Sequence, residues 1–171
     1  ICGQIGHYDE RKWGTEDLHR FFKLSLDLFC VCTFDGYFVR LNPAWQDLLG
    51  FSDGELRASP FMDFVHPDDR DATTRELSAQ TTGERVIDFE NRYRSKDGSY
   101  KWLQWAAAPF AKQGLIYAAA RDVTYRKSAE NALRGYALEL ERAKREQDKN
   151  AERLAQLVKE RDLARGHAEQ A

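Results

Sequence analysis

Residues 86–124 restrict what this 171-residue chain can fold into more than any other stretch. The run Val86–Arg94 alternates apolar and polar side chains, Lys96-Asp97-Gly98 supplies turn chemistry, and the run Tyr100–Trp105 returns with strong strand formers. That is a hairpin. A third apolar run, Leu115–Ala120, is reached through the loop at Lys112-Gln113-Gly114, ends in Arg121-Asp122-Val123-Thr124 and passes directly into a helical pattern. A sheet built this way has an apolar face that the preceding residues must close.

Those residues read as short elements. The run Leu28–Phe34 is a buried strand, Asp35-Gly36 a turn and Tyr37–Leu41 the returning strand. Asn42-Pro43 opens a short helix whose inward side is Ala44, Trp45, Leu48 and Leu49, and Gly50 ends it. A capped turn follows at Ser52–Leu56, then an apolar turn at Phe61–Val65. Pro67 with Asp68 and Asp69 starts a helix predicted to run to about Gln80. Ahead of the first strand, Thr15 is the expected N-cap of a helix with Glu16 and Asp17 in its first turn. Its face Leu18, Phe21, Phe22 and Ser25 is amphipathic.

The order of these words resembles a PAS (Per-Arnt-Sim) sensory domain over residues 18–126. The residues that carry the resemblance are Asp35-Gly36, Asn42-Pro43-Ala44-Trp45, Leu49-Gly50-Phe51-Ser52, the run Val65–Arg70, the run Tyr93–Ser99, Trp102, and the closing Arg121-Asp122-Val123-Thr124. The resemblance implies an α+β fold: a five-stranded antiparallel sheet with flanking short helices, an N-terminal amphipathic helix and a long C-terminal coiled-coil helix. Within residues 1–17, expected to be a connector helix, the run Ile5–Lys12 resembles the terminal helix of a GAF domain and reads equally as a plain connector.

The family's cofactor patterns are not met. Haem-binding members carry a histidine on the long helix, and Asp68–Gln80 contains none, which leaves His66 a capping or loop-packing role. The light-oxygen-voltage branch needs a reactive cysteine before that helix, and Ser59–Val65 has none. No cofactor is predicted, and any small-molecule ligand is unnamed by the sequence. Cys30, Cys32, Trp45, Phe64, Trp102 and Trp105 are candidate pocket-lining residues, each with a bland alternative as core packing. The alanine runs 106–108 and 118–120 either leave a cavity or admit large groups such as Trp45, Phe61 and Phe64 from the opposite side. Asp122 and Thr124 are the candidate signal-coupling residues: a carboxylate and a hydroxyl at a strand end can hold the first amides of the emerging helix, with Thr124 as the expected N-cap.

Composition sets the partner classes. Charged residues make up 32% of the chain but cancel to a net charge of −2, so no field favours nucleic acid or an anionic membrane. Cys30 and Cys32 lie two apart on one strand, where a mutual disulfide is geometrically unfavourable, and the odd count of three cysteines fits a reducing cytoplasm. No phosphate loop, nucleophile–base pair or metal-ligand cluster is present, so no catalytic or metal residue is assigned.

Beyond the PAS segment, residues 127–171 form a heptad seam at Leu133, Tyr136, Leu140, Ala143, Gln147, Asn150, Leu154, Leu157, Arg161, Ala164 and Ala168. The expectation is a parallel homodimer through this coiled coil. The chain starts without methionine and stops within a helical pattern, and it reads as a segment of a longer signalling protein. In a bacterial sensor histidine kinase the helix would lead to a kinase output domain in the same polypeptide, acting on a response regulator. A ligand-free dimerisation spacer and a diguanylate cyclase output are the alternatives.

Overall fold

The computed structural model describes residues 14–168, with side chains through Asp162. The expectations for residues 1–13, the GAF resemblance included, lie outside the described residues. The chain divides into two compact units, one up to Thr124 and one from Tyr125.

Five strands, β1 (Leu28–Thr33), β2 (Phe38–Leu41), β3 (Val86–Arg94), β4 (Tyr100–Phe110) and β5 (Leu115–Asp122), form one antiparallel sheet in the order β2-β1-β5-β4-β3. The first and last strands in sequence are therefore brought together at its centre. Side chains alternate between faces, and Leu28, Cys30 and Cys32 of β1 point to the buried one. Both hairpins turn where the sequence places glycine, and Gly98 sits at φ 86°, a conformation that residues with a Cβ rarely adopt. In β3 the register shifts between Ile87 and Phe89, where Asp88 adopts φ 59°.

The helices cover the buried face. In α2 (Ala44–Leu49), Trp45 and Leu49 are each 1% exposed, and the Trp45 indole N–H donates to the Phe29 carbonyl at 3.1 Å. Gly50 closes this helix at φ 77°. The helix α3 (Asp53–Ala58) has a full capping box: Ser52 Oγ accepts from the Glu55 amide, and the Glu55 carboxylate accepts from the Ser52 amide at 2.8 Å. Lys96 also binds that carboxylate, and its hydrogen bonds together with those from Ser52 lower the Glu55 pKa to about 2.

Three helix starts differ from expectation. The first helix, α1 (Thr15–Leu24), is capped one residue early: Asp17 reaches back to accept from the Gly14 amide at 3.3 Å, so Thr15 is already helical, and Ser25 falls outside the helix. Of its apolar face only Phe22 is half-buried, stacked on Phe29, while Leu18 and Phe21 stay exposed. Residues Pro67–Asp69 form a 3-10 turn, and the helix proper, α4, spans Arg70–Thr81. His66 Nδ1 accepts from the Asp68 amide there, and its ring packs against Tyr100. The third case, Thr124 at the head of the long helix α5 (Thr124–Ala168), belongs to the site. No helix among the described residues is long and apolar enough to cross a membrane.

Candidate functional site

The buried face of the sheet and the elements over it enclose a cavity of about 60 Å³. Period-two alternation decides which residues face it. On β4, Trp105 and Ala107 line the cavity, whereas Trp102, an odd number of positions away, lies on the other face beneath the Arg92 guanidinium. Ala107 is the register partner of Ala118 on β5, and these two small side chains, side by side, leave room that Phe61 and Trp105 border. Both cysteines of β1 line it too.

The structure thus brings Cys30, Cys32 and Trp105 together at one cavity. Trp45 lies behind that wall, its ring 5.9 Å from those of Trp105 and Tyr93. Phe64 packs edge-on against Phe51 and does not reach the cavity. The lining carries little charge. Hydrogen bonding to Cys32, and then burial, push the Cys30 thiol well above its ordinary pKa. Burial, followed by the neighbouring thiols, does the same for the Tyr93 phenol. Both groups stay protonated at neutral pH.

Polar groups in the wall form a continuous chain. The Trp105 indole N–H donates to Asn91 Oδ1 at 2.7 Å, and the Asn91 amide donates to Thr73 Oγ1 at 3.0 Å. The Thr73 hydroxyl donates to the Asp69 carbonyl, and the Asp69 carboxylate receives the Arg92 guanidinium in a bidentate pair as well as the Arg92 backbone N–H. These hydrogen bonds with Arg92 hold the Asp69 carboxyl below its ordinary value. The Arg92 guanidinium lies 5.2 Å over the Trp102 ring. The backbone of Trp102 then meets the end of the unit: its N–H donates to Thr124 Oγ1 at 2.9 Å, and its carbonyl accepts from Val123.

Asp122 and Thr124 divide the work differently from expectation. Asp122 Oδ1 accepts both the Thr124 amide and the Thr124 hydroxyl, so the carboxylate caps the helix start. Thr124, itself the first residue of α5, fastens that start to β4. One residue earlier, Arg121 pairs with Asp27 through two hydrogen bonds, which also joins β5 to the segment following α1.

The wall residues that the sequence does not single out include Asn91 and Gln80, which are 1% and 7% exposed. Asn91 sits at an inward position of a strand, a signal that alternation alone carries. Gln80 has no such signal in a polar helix. Its Oε1 is buried without a hydrogen-bond partner among the described residues, and the residue belongs to the cavity lining.

Residues 38–118 match the family model described as PAS fold. No curated protein sequence matches the chain. Among solved structures, the chain is similar to the PAS domain of an HTR-like protein from Haloarcula marismortui. They share 26% identity with a TM-score of 0.55, over 63% of this chain and 95% of that one. It is also similar in fold to a domain of a sensory box sensor histidine kinase/response regulator from Geobacter sulfurreducens, at 19% identity and a TM-score of 0.54, over 63% and 92% of the two chains. A PAS domain from Colwellia psychrerythraea aligns at 20% identity and 0.55, over 64% and 97%.

Proposed function

The folded unit is a PAS domain, and from that premise we propose that this chain is a cytoplasmic sensor and relay module of a bacterial sensor histidine kinase. The sheet and its cavity receive the signal, α5 carries it onward, and a second copy completes α5 as a parallel dimeric coiled coil. The output is a kinase domain in the same polypeptide, and a response regulator receives its phosphoryl group. The likeness to a sensor histidine kinase domain supports the fold, and the leucine seam supports the pairing.

One observation carries this reading: the chain of contacts from Trp105 through Asn91, Thr73, Asp69, Arg92 and Trp102 to Thr124. It gives a change at the cavity wall a physical route to the residue that starts α5. Two arrangements of such a route, unequally favoured by a signal, would bias two states of the helix. The test is Asn91→Leu, which removes the middle of the route and keeps the number of side-chain heavy atoms. Amide hydrogen exchange over residues 125–128 should quicken, as it should in the double variant Asp122→Ala, Thr124→Ala. If the double variant quickens exchange there and Asn91→Leu leaves it at the wild-type rate, the cavity is not connected to the helix and the reading fails.

A further inference from the structure

The cavity contains one buried polar group that the fold leaves unanswered. Thr73, Asn91 and Trp105 satisfy one another, but Gln80 Oε1, on a residue 93% buried, has no partner among the described residues. Leaving an amide oxygen dry and unpaired is costly, and natural interiors pair such groups with protein, water or ligand. The remaining lining is mainly apolar and aromatic: Leu77, Ile116, Phe89 and Phe61 stand around the same space. Among the described residues no cationic side chain lines it, and the only carboxylate that does, Glu76, is half-buried. An anion would find no counter-charge. Size narrows the class further. A cavity of about 150 Å³ holds benzene, and this one measures about 60 Å³.

We propose that the cavity takes a small neutral molecule, smaller than benzene, with an apolar body and one hydrogen-bond donor received by Gln80 Oε1, which is the chemistry of a short-chain alcohol. Gln80 is then the specificity residue: it distinguishes a donor from an acceptor of the same size. This inference rests on the reading of the cavity as the input site of a sensor module.

The probes are 1-propanol and its isomer ethyl methyl ether, which has the same heavy atoms and no donor. Each is titrated into the full chain while NMR follows the Leu77 and Ile116 methyl groups and the Gln80 side-chain amide. Four heavy atoms support a dissociation constant of about 40 μM at the tightest. 1-Propanol should shift these signals saturably, and the ether should bind about tenfold more weakly, the scale of one hydrogen bond to an otherwise unpaired group. In Gln80→Met, of similar length, the two isomers should bind alike, with an unchanged Trp105 indole signal reporting the intact fold. Equal affinities in the wild type, a preference that persists in Gln80→Met, or linear shifts with both isomers, as for a cavity filled by water alone, would overturn the proposal. Its failure is distinguishable from failure of the relay: the isomer preference reads the cavity, whereas the exchange of residues 125–128 in Asn91→Leu reads the connection to α5.

Discussion

The unit up to Thr124 and the helix from Tyr125 draw on similar apolar residues and treat them in opposite ways. In the first, Leu56 and Leu103 are wholly buried, and Trp45 sits among Phe38, Tyr93 and Trp105. In the second, Leu133, Tyr136, Leu140 and Leu154 are 69%, 70%, 72% and 63% exposed. The first unit covers one face of its sheet internally and leaves Leu18, Phe21, Leu26 and Ile87 exposed. The second carries a stripe at alternating spacings of three and four that nothing within its own unit covers. Because helices in proteins owe most of their stability to packing of an apolar face, the proposed pairing would give α5 what the core gives the sheet.

The largest effect that separates the two regions is expected at Trp45. Truncation to alanine removes a large, fully buried side chain from the aromatic part of the core and should cost about 3–5 kcal/mol. Chemical denaturation followed by tryptophan fluorescence should show the loss, at a midpoint independent of protein concentration. A concentration-dependent midpoint would mean that the core also leans on a second copy, and the contrast would weaken.

A smaller change should act on the helix alone. Gly135 lies inside α5, where an added Cβ meets nothing within 4 Å, so Gly135→Ala should stabilise the helix by about 1 kcal/mol. Far-ultraviolet circular dichroism should show a later loss of helix on heating, with the fluorescence transition of the core unmoved.

The smallest effect concerns acid. Arg92 holds the Asp69 carboxyl below its ordinary value of 3.8, so the folded state binds this proton less readily than the unfolded chain. The contribution of Asp69 is therefore complete above 3.8 and is lost as pH falls through the depressed value. The stability gap between wild type and Asp69→Asn should narrow as pH falls below 3.8. A constant gap would mean that the carboxylate charge contributes nothing to this pairing.

The sequence made the sheet legible because alternation, turn residues and strand formers agree at every hairpin. Strand parity alone separates Trp102 from Trp105, since an odd spacing sends them to opposite faces. Two of the three displaced helix starts share a cause. At Gly14 and at Thr124, side chains at Asp17 and Asp122 supply the bonds, and the obvious hydroxyl residue is not the cap. Gln80 was invisible for another reason: it lies in a helix of low apolar content, and only the closing of α4 over β3 and β4 buries it. Burial of a polar residue by tertiary packing leaves no local pattern to read.

The contrast between a core closed within one chain and a helix proposed to pair with a second copy is tested most directly by sedimentation equilibrium of the wild-type chain and of the double variant Leu140→Asp, Leu154→Asp. The wild type should sediment as a dimer, and the variant as a monomer whose core unfolds at the wild-type denaturant midpoint. A wild-type chain that stays monomeric at every concentration, or a variant that remains a dimer, would contradict pairing through α5.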